Sequence, residues 1–170
     1  KGQFAQSWYD QDGATGDAPE EDSQAMSFSI EGRPFDVSPV WFGHTADLRL
    51  GGQYDRVGTY FQSLANNGLA GDRDAYTAYG NLYWGALATN LQYVYETNNV
   101  DDLEAVPTDS LQNLSLSLNY TFDPLTDGFE WLGTPNVYLS GFVAEMGRVD
   151  TPAGYLGPDT DNLTTSLTLG

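Results

Sequence analysis

Residues 111–122 read LQNLSLSLNYTF. The even positions from 114 are Leu114, Leu116, Leu118, Tyr120 and Phe122, and the odd ones from 113 are Asn113, Ser115, Ser117, Asn119 and Thr121. Successive side chains of a strand point to opposite faces. The segment is therefore predicted to be a strand with one apolar face ending in aromatics and one small polar face. Neither face carries a charge.

The same period of two recurs on either side. In 25–33, Met26, Phe28 and Ile30 alternate with Ser27, Ser29 and Glu31, and Gly32 and Pro34 end the run. In 45–55, Ala46, Leu48, Leu50 and Tyr54 oppose Asp47, Arg49, Gln53 and Asp55, and 57–62 reads as a continuation or a further short strand. Over 76–96, Tyr83, Leu87, Leu91, Tyr93 and Tyr95 share one face, Ala86, Ala88, Asn90 and Gln92 the other, and Trp84 is out of phase. Residues 136–146 form a strand of two competing facings, Val137, Leu139 and Val143 against Tyr138, Phe142 and Met146. In 162–170, Leu163, Thr165, Leu167 and Leu169 alternate with Asn162, Thr164, Ser166 and Thr168. No stretch has a convincing helical period. The expected architecture is all-β, with six or seven strands over 25–170 and an acidic arm or loop over 1–24. Long acidic connections gather at one end. The turn-rich connection 123–135 is as long but carries Phe129 and Trp131, and 37–44, with Pro39, Trp41 and Phe42, reads as a turn.

Composition narrows the function. Lys and Arg number 6 against 24 Asp and Glu, a formal charge of −18. A nucleic-acid partner needs a basic footprint, which is missing. Docking on an anionic bilayer surface through charge is disfavoured for the same reason. There is no cysteine, so neither disulfides nor thiolate metal sites arise. No apolar run reaches the length of a transmembrane helix.

A soluble sandwich also alternates, but three features tilt the reading toward a membrane barrel. The apolar faces of 111–122, 83–95 and 163–169 are free of charge, with Ser, Thr, Asn and Gln behind them. Aromatics gather at strand ends: Tyr93 and Tyr95, Tyr120 and Phe122, Phe129 and Trp131. The strands are long for a soluble protein and near the tilted span of a membrane strand. In texture, NLSLSLNYTFDP and DNLTTSLTLG resemble strands of bacterial outer-membrane β-barrel proteins, and the resemblance extends over about residues 26–170. It implies an antiparallel up-and-down transmembrane β-barrel, or part of one, in the outer membrane of a Gram-negative bacterium. Its neighbours would be membrane lipid and other barrel segments or an outer-membrane partner protein. The implied role is non-enzymatic: a porin-like pore, a scaffold or a receptor. Single-chain barrels of this kind have at least eight strands, so six or seven favour a share of a larger barrel. The competing reading is a secreted β-sandwich that binds carbohydrate through Trp and Tyr, stabilised by calcium.

Three groups are candidates for chemistry. Asp47 and Arg49, with Arg56 close by, suit a lumen constriction that selects solutes by charge, or ion pairs inside a filled lumen. Asp10, Asp12 and Asp17, near Gly13, resemble part of a calcium loop, but Ala14 stands where a third ligand belongs. A solvated acidic arm explains them at least as well. His44 is the lone histidine and reads as a turn residue near Trp41 and Phe42, with no nucleophile motif beside it. As a solvated arm, residues 1–24 give no calcium response, and the melting temperature is expected not to move when calcium is added. A rise in Tm that disappears in Asp10→Ala/Asp12→Ala protein would assign the arm to the cation.

Overall fold

The alternation in 111–122 does what its period dictates: it lies inside a strand, and each flanking alternating run hydrogen-bonds to the next. The computed structural model describes residues 1–9, 21–61, 71–124, 133–158 and 160–170. Nine strands follow in order: β1 (Gly2–Tyr9), β2 (Glu21–Gly32), β3 (Val40–Trp41), β4 (His44–Val57), β5 (Arg73–Trp84), β6 (Leu87–Thr97), β7 (Thr108–Thr121), β8 (Asn136–Asp150) and β9 (Asn162–Leu169). They build one antiparallel sheet in the order β1-β2-β4-β5-β6-β7-β8-β9, with the short β3 paired to β4. Sequence neighbours are spatial neighbours throughout, an up-and-down arrangement. Among the described residues the sheet is not closed into a barrel: β1 and β9 are its two edges. The sequence predicts six or seven strands, whereas eight lie along the path. Two strands are added to the six: β1, inside the stretch expected to be an arm, where Gly2–Tyr9 pairs with Glu21–Phe28, and the second strand within the run expected over 76–96.

Tight turns account for the other departures. Trp84 and Leu87 are paired across a two-residue reversal, Gly85-Ala86, in which Gly85 has φ 55°. Positive φ at the first loop position, supplied by glycine, matches the right-handed twist of the flanking strands. The single run expected over 76–96 is therefore two strands, and the reversal shifts the phase. Trp84 lies on the apolar face in register with Leu87, and Tyr83 lies on the polar face opposite Ala88. The stretch expected to be a turn at 37–44 contains β3 and a second tight reversal, with Phe42 at φ 50° and Gly43 at φ 83°. Residues 58–61 are not strand. The facing of β8 is settled by pairing: Val137, Leu139 and Val143 are opposite Tyr120, Leu118 and Leu114, so Tyr138, Phe142 and Met146 join the polar face.

The connections 10–20, 58–72, 98–107 and 151–161 leave from one end of the sheet, the acidic end anticipated from sequence. The reversals at 42–43 and 85–86 and the connection 122–135 lie at the other. There is scarcely a core. Ala46, Val57 and Ala75 are the buried hydrophobic residues among those described. The accessible surface is 11905 Å², against roughly 8,200 Å² expected for a compact protein of this mass. The excess is consistent with the single layer that the described residues form.

Gly85 is expected to be the least replaceable turn residue. An added Cβ would lie 2.9 Å from Nδ1 of His44 in a backbone region that other residues rarely adopt. Gly85→Val is expected to lower unfolding stability by about 1–3 kcal/mol in denaturant titration. Gly32→Ala, with open space around it, should leave the midpoint in place.

Candidate functional site

The surface that distinguishes this chain is the apolar face of the sheet. Pairing aligns its residues in levels, one crossing all eight strands of the path and one crossing five. One level runs Gly2, Phe28, Tyr54, Tyr76, Tyr95, Gln112, Glu145, Leu163. Another, nearer the tight turns, runs Ala46, Trp84, Leu87, Tyr120, Val137. Each is rich in aromatics. The Tyr54 and Tyr76 rings are 4.8 Å apart, and Tyr120 meets Phe122 edge-on at 4.8 Å. Phe42 packs on Trp84 at 6.0 Å, and the indole Nε1 of Trp84 donates to the carbonyl of Trp41 at 2.9 Å. Phe129 and Trp131, the third aromatic pair anticipated, lie outside the described residues.

Between these levels the face is uncharged. Leu48, Leu50, Ala78, Leu82, Leu91, Tyr93, Leu114, Leu116, Leu118, Leu139 and Val143 occupy it, together with Gly52, Gly80, Gly141 and a few threonines. The band is nine residues tall on four strands: 46–54, 76–84, 87–95 and 112–120. That is the number a tilted strand needs to cross a hydrocarbon layer. Leu114 is 48% exposed and Leu116 39%, whereas Asn113, Ser115 and Ser117 behind them are half-buried. On β7 the apolar side is thus the more open one; on β9 both faces are exposed.

The polar face is held by hydrogen bonds and ion pairs. Asp47 lies between two guanidinium groups, Arg33 Nε at 3.4 Å and Arg49 Nη2 at 3.3 Å. Arg73 pairs with Glu96 at 2.8 Å. Asn90 Nδ2 donates to Asn81 Oδ1 at 2.8 Å. The Tyr79 hydroxyl donates to Glu31 at 2.9 Å, its ring lying over Gly51, where any Cβ would fall 2.2 Å from Cζ. Glycine there lets an aromatic ring cross the strand, a device that pins register. These ion pairs are partly exposed, so each contributes little, about 0.2–1 kcal/mol.

Of the lumen candidates, the structure brings Asp47 and Arg49 together and leaves Arg56 apart. Arg56 has the parity of the apolar face and sits at the loop end. Its Nη2 donates to the Val100 carbonyl at 3.0 Å and pairs with Asp101 at 3.7 Å. Sequence reasoning missed Arg33, Arg73, Glu96, Asp109 and Arg148. Their partners are set by register, which spacing along one strand does not reveal. Asp10, Asp12 and Asp17 lie outside the described residues, and among those described no group of three or more His, Asp or Glu side chains could hold a metal ion. His44, expected in a turn, opens β4 instead, paired with Trp41 across the 42–43 reversal and edge-on to Trp84 at 6.3 Å.

Comparison of the chain with protein-family models, with curated proteins and with solved structures finds no match. Fold and surface define the class on their own: an all-β protein whose described residues form one up-and-down antiparallel sheet, apolar on one face and more polar on the other.

Order at the loop end depends on Arg148. It forms a short pair with Asp109, donates to the Pro158 carbonyl at 3.3 Å and lies 5.0 Å from the Tyr155 ring centre. Thr160 donates to the same Asp109 oxygen at 2.9 Å. Arg148→Met is expected to speed amide exchange across 151–158 while leaving β6 and β7 protected, as read by hydrogen-exchange mass spectrometry.

Proposed function

We propose that this chain is a bacterial outer-membrane β-barrel, or part of one, acting without catalysis as a pore, scaffold or receptor, with lipid as the neighbour of its apolar band. One observation carries the reading: an uncharged band, uncovered by any described residue, nine residues tall, bounded by two aromatic levels and backed by a polar face. Membrane barrels have such a band between aromatic girdles, and Tyr and Trp favour the interfacial level. A sandwich would need a second sheet on the leucine side, and the described residues form a single sheet. The acidic connections would then face the outside, and the tight turns the periplasm.

The test is extraction followed by a charge scan. The protein is expected to require detergent for solubility. Leu116 lies midway between Gln112 and Tyr120 of the bounding levels. Leu116→Arg should therefore cost about 2–4 kcal/mol of folding stability in bilayers, and Ser117→Arg, on the polar face, much less. Purification from a buffer wash, or equal costs at the two positions, would overturn the reading.

A further inference from the structure

The β5–β6 hairpin stops short of the strands beside it. Trp84 pairs with Ala46 and Leu87 with Tyr120, so only the reversal Gly85-Ala86 projects past that level. On one side β4 extends further, to His44. On the other the chain runs on through Thr121 and Phe122 to Asp123. The hairpin tip is therefore recessed between two longer walls. The recess has a volume of about 370 Å³, and His44, Trp84, Tyr120 and Asp123 line it. Gly85 helps to keep it open, since a Cβ there would come up against the His44 ring.

We propose that this recess binds the ammonium group of an amine-bearing phospholipid headgroup. The proposal rests on the membrane reading for the source of the ligand and on the recess itself for the charge. Three observations point to an organic cation. Trp84 and Tyr120 bring two electron-rich rings to the recess, and the faces of such rings attract ammonium groups. Asp123 is exposed and has no ion pair or hydrogen bond to any described residue, whereas each of the five arginines lies beside another carboxylate. The sequence supplies no cation nearby either: 34–48 and 74–147 contain neither Lys nor Arg. A hard metal ion needs several converging oxygens, and Asp123 is the single carboxylate among the lining residues. A carboxylate beside aromatic rings suits an ammonium and repels a phosphate.

The site is also held ready. The Trp84 indole donates to the Trp41 carbonyl at 2.9 Å, with Phe42 6.0 Å and His44 6.3 Å from its ring centre. Little side-chain freedom is left for a ligand to freeze. His44, Trp84, Leu87 and Tyr120 all have the parity of the apolar face, so the recess lies at the tight-turn edge of the uncharged band. With hydrocarbon against that band, headgroups lie at this level.

The test is a lipid competition. The protein in detergent micelles receives equal amounts of phosphatidylethanolamine and phosphatidylglycerol, and native mass spectrometry counts the lipid retained. The ethanolamine lipid is expected to be retained about fivefold over the glycerol lipid. Asp123→Asn and Trp84→Leu should each bring the ratio close to one. Asp123 is exposed, so its variant alters the charge of the site without disturbing the sheet. Asp150→Asn, exposed at the loop end, should leave the ratio in place. No preference in the unaltered protein, a preference that survives Asp123→Asn, or an equal loss in Asp150→Asn would overturn the proposal. Purification without detergent would overturn the membrane reading and the lipid source together. A protein that needs detergent but shows no preference would overturn the headgroup site alone.

Discussion

The structure depends on one constraint: a single-layer sheet satisfies its backbone along the ladders but leaves one face with nothing to bury against. From β1 to β9 each strand hydrogen-bonds to its neighbours. Soluble domains then cover the apolar side with a second layer. Here that side carries Leu50, Tyr76, Leu91, Leu114, Leu116 and Val143 at 39% exposure and above, while Asn113, Ser115 and Ser117 behind the β7 leucines are half-buried. Burying a leucine contributes about 1.5–3 kcal/mol. Among the described residues this contribution is missing at a dozen positions, and the proposed lipid neighbour would supply it. The lipid reading follows from this inverted arrangement rather than from any single residue.

Most of this inversion was legible in sequence. Alternation without charge in 111–122 and 162–170 fixes which residues share a face, whatever the partner strand. Tyr83 and Trp84 were not legible, because a reversal of two residues leaves almost no gap in the pattern. Gly85 was the available signal: an isolated glycine where the phase slips. β1 was hidden for a different reason. Its neighbourhood is crowded with acidic residues, and Gln3, Phe4, Ala5 and Gln6 alternate too weakly to stand out. The aromatic levels were half legible. Tyr95 and Tyr120 could be placed at strand ends, but Phe28, Tyr54, Tyr76 and Tyr95 become one line only once register is known.

Register also decides the electrostatics. Five arginines face a large acidic excess, and each lies within 4 Å of a carboxylate: Arg33 and Arg49 with Asp47, Arg56 with Asp101, Arg73 with Glu96, Arg148 with Asp109. The Arg56 and Arg148 pairs hold the loop end together, through Val100 and Pro158 respectively. Of the other carboxylates, nine lie in the four connections at that end and Asp123, Asp127 and Glu130 in the connection 122–135 at the opposite one, so the remaining charge is weighted toward the loop end.

That asymmetry bears on which non-catalytic role fits best. A constriction that sorts solutes by sign needs an unbalanced charge aimed into the path. Asp47 is already shared by two guanidinium groups, and Arg49 spends its field on that carboxylate. Tyr79, spanning Gly51 to reach Glu31, and Phe142, on the same face, add bulk where a channel would need room. A barrel of about eight strands has an interior that side chains can fill. The polar face is thus better suited to holding a wall rigid than to passing a solute. Many of the remaining carboxylates, by contrast, belong to the connections, and such a charge favours cations or basic partners. Within the proposed class, a scaffold or receptor presenting acidic loops accounts for more of the molecule than a pore does.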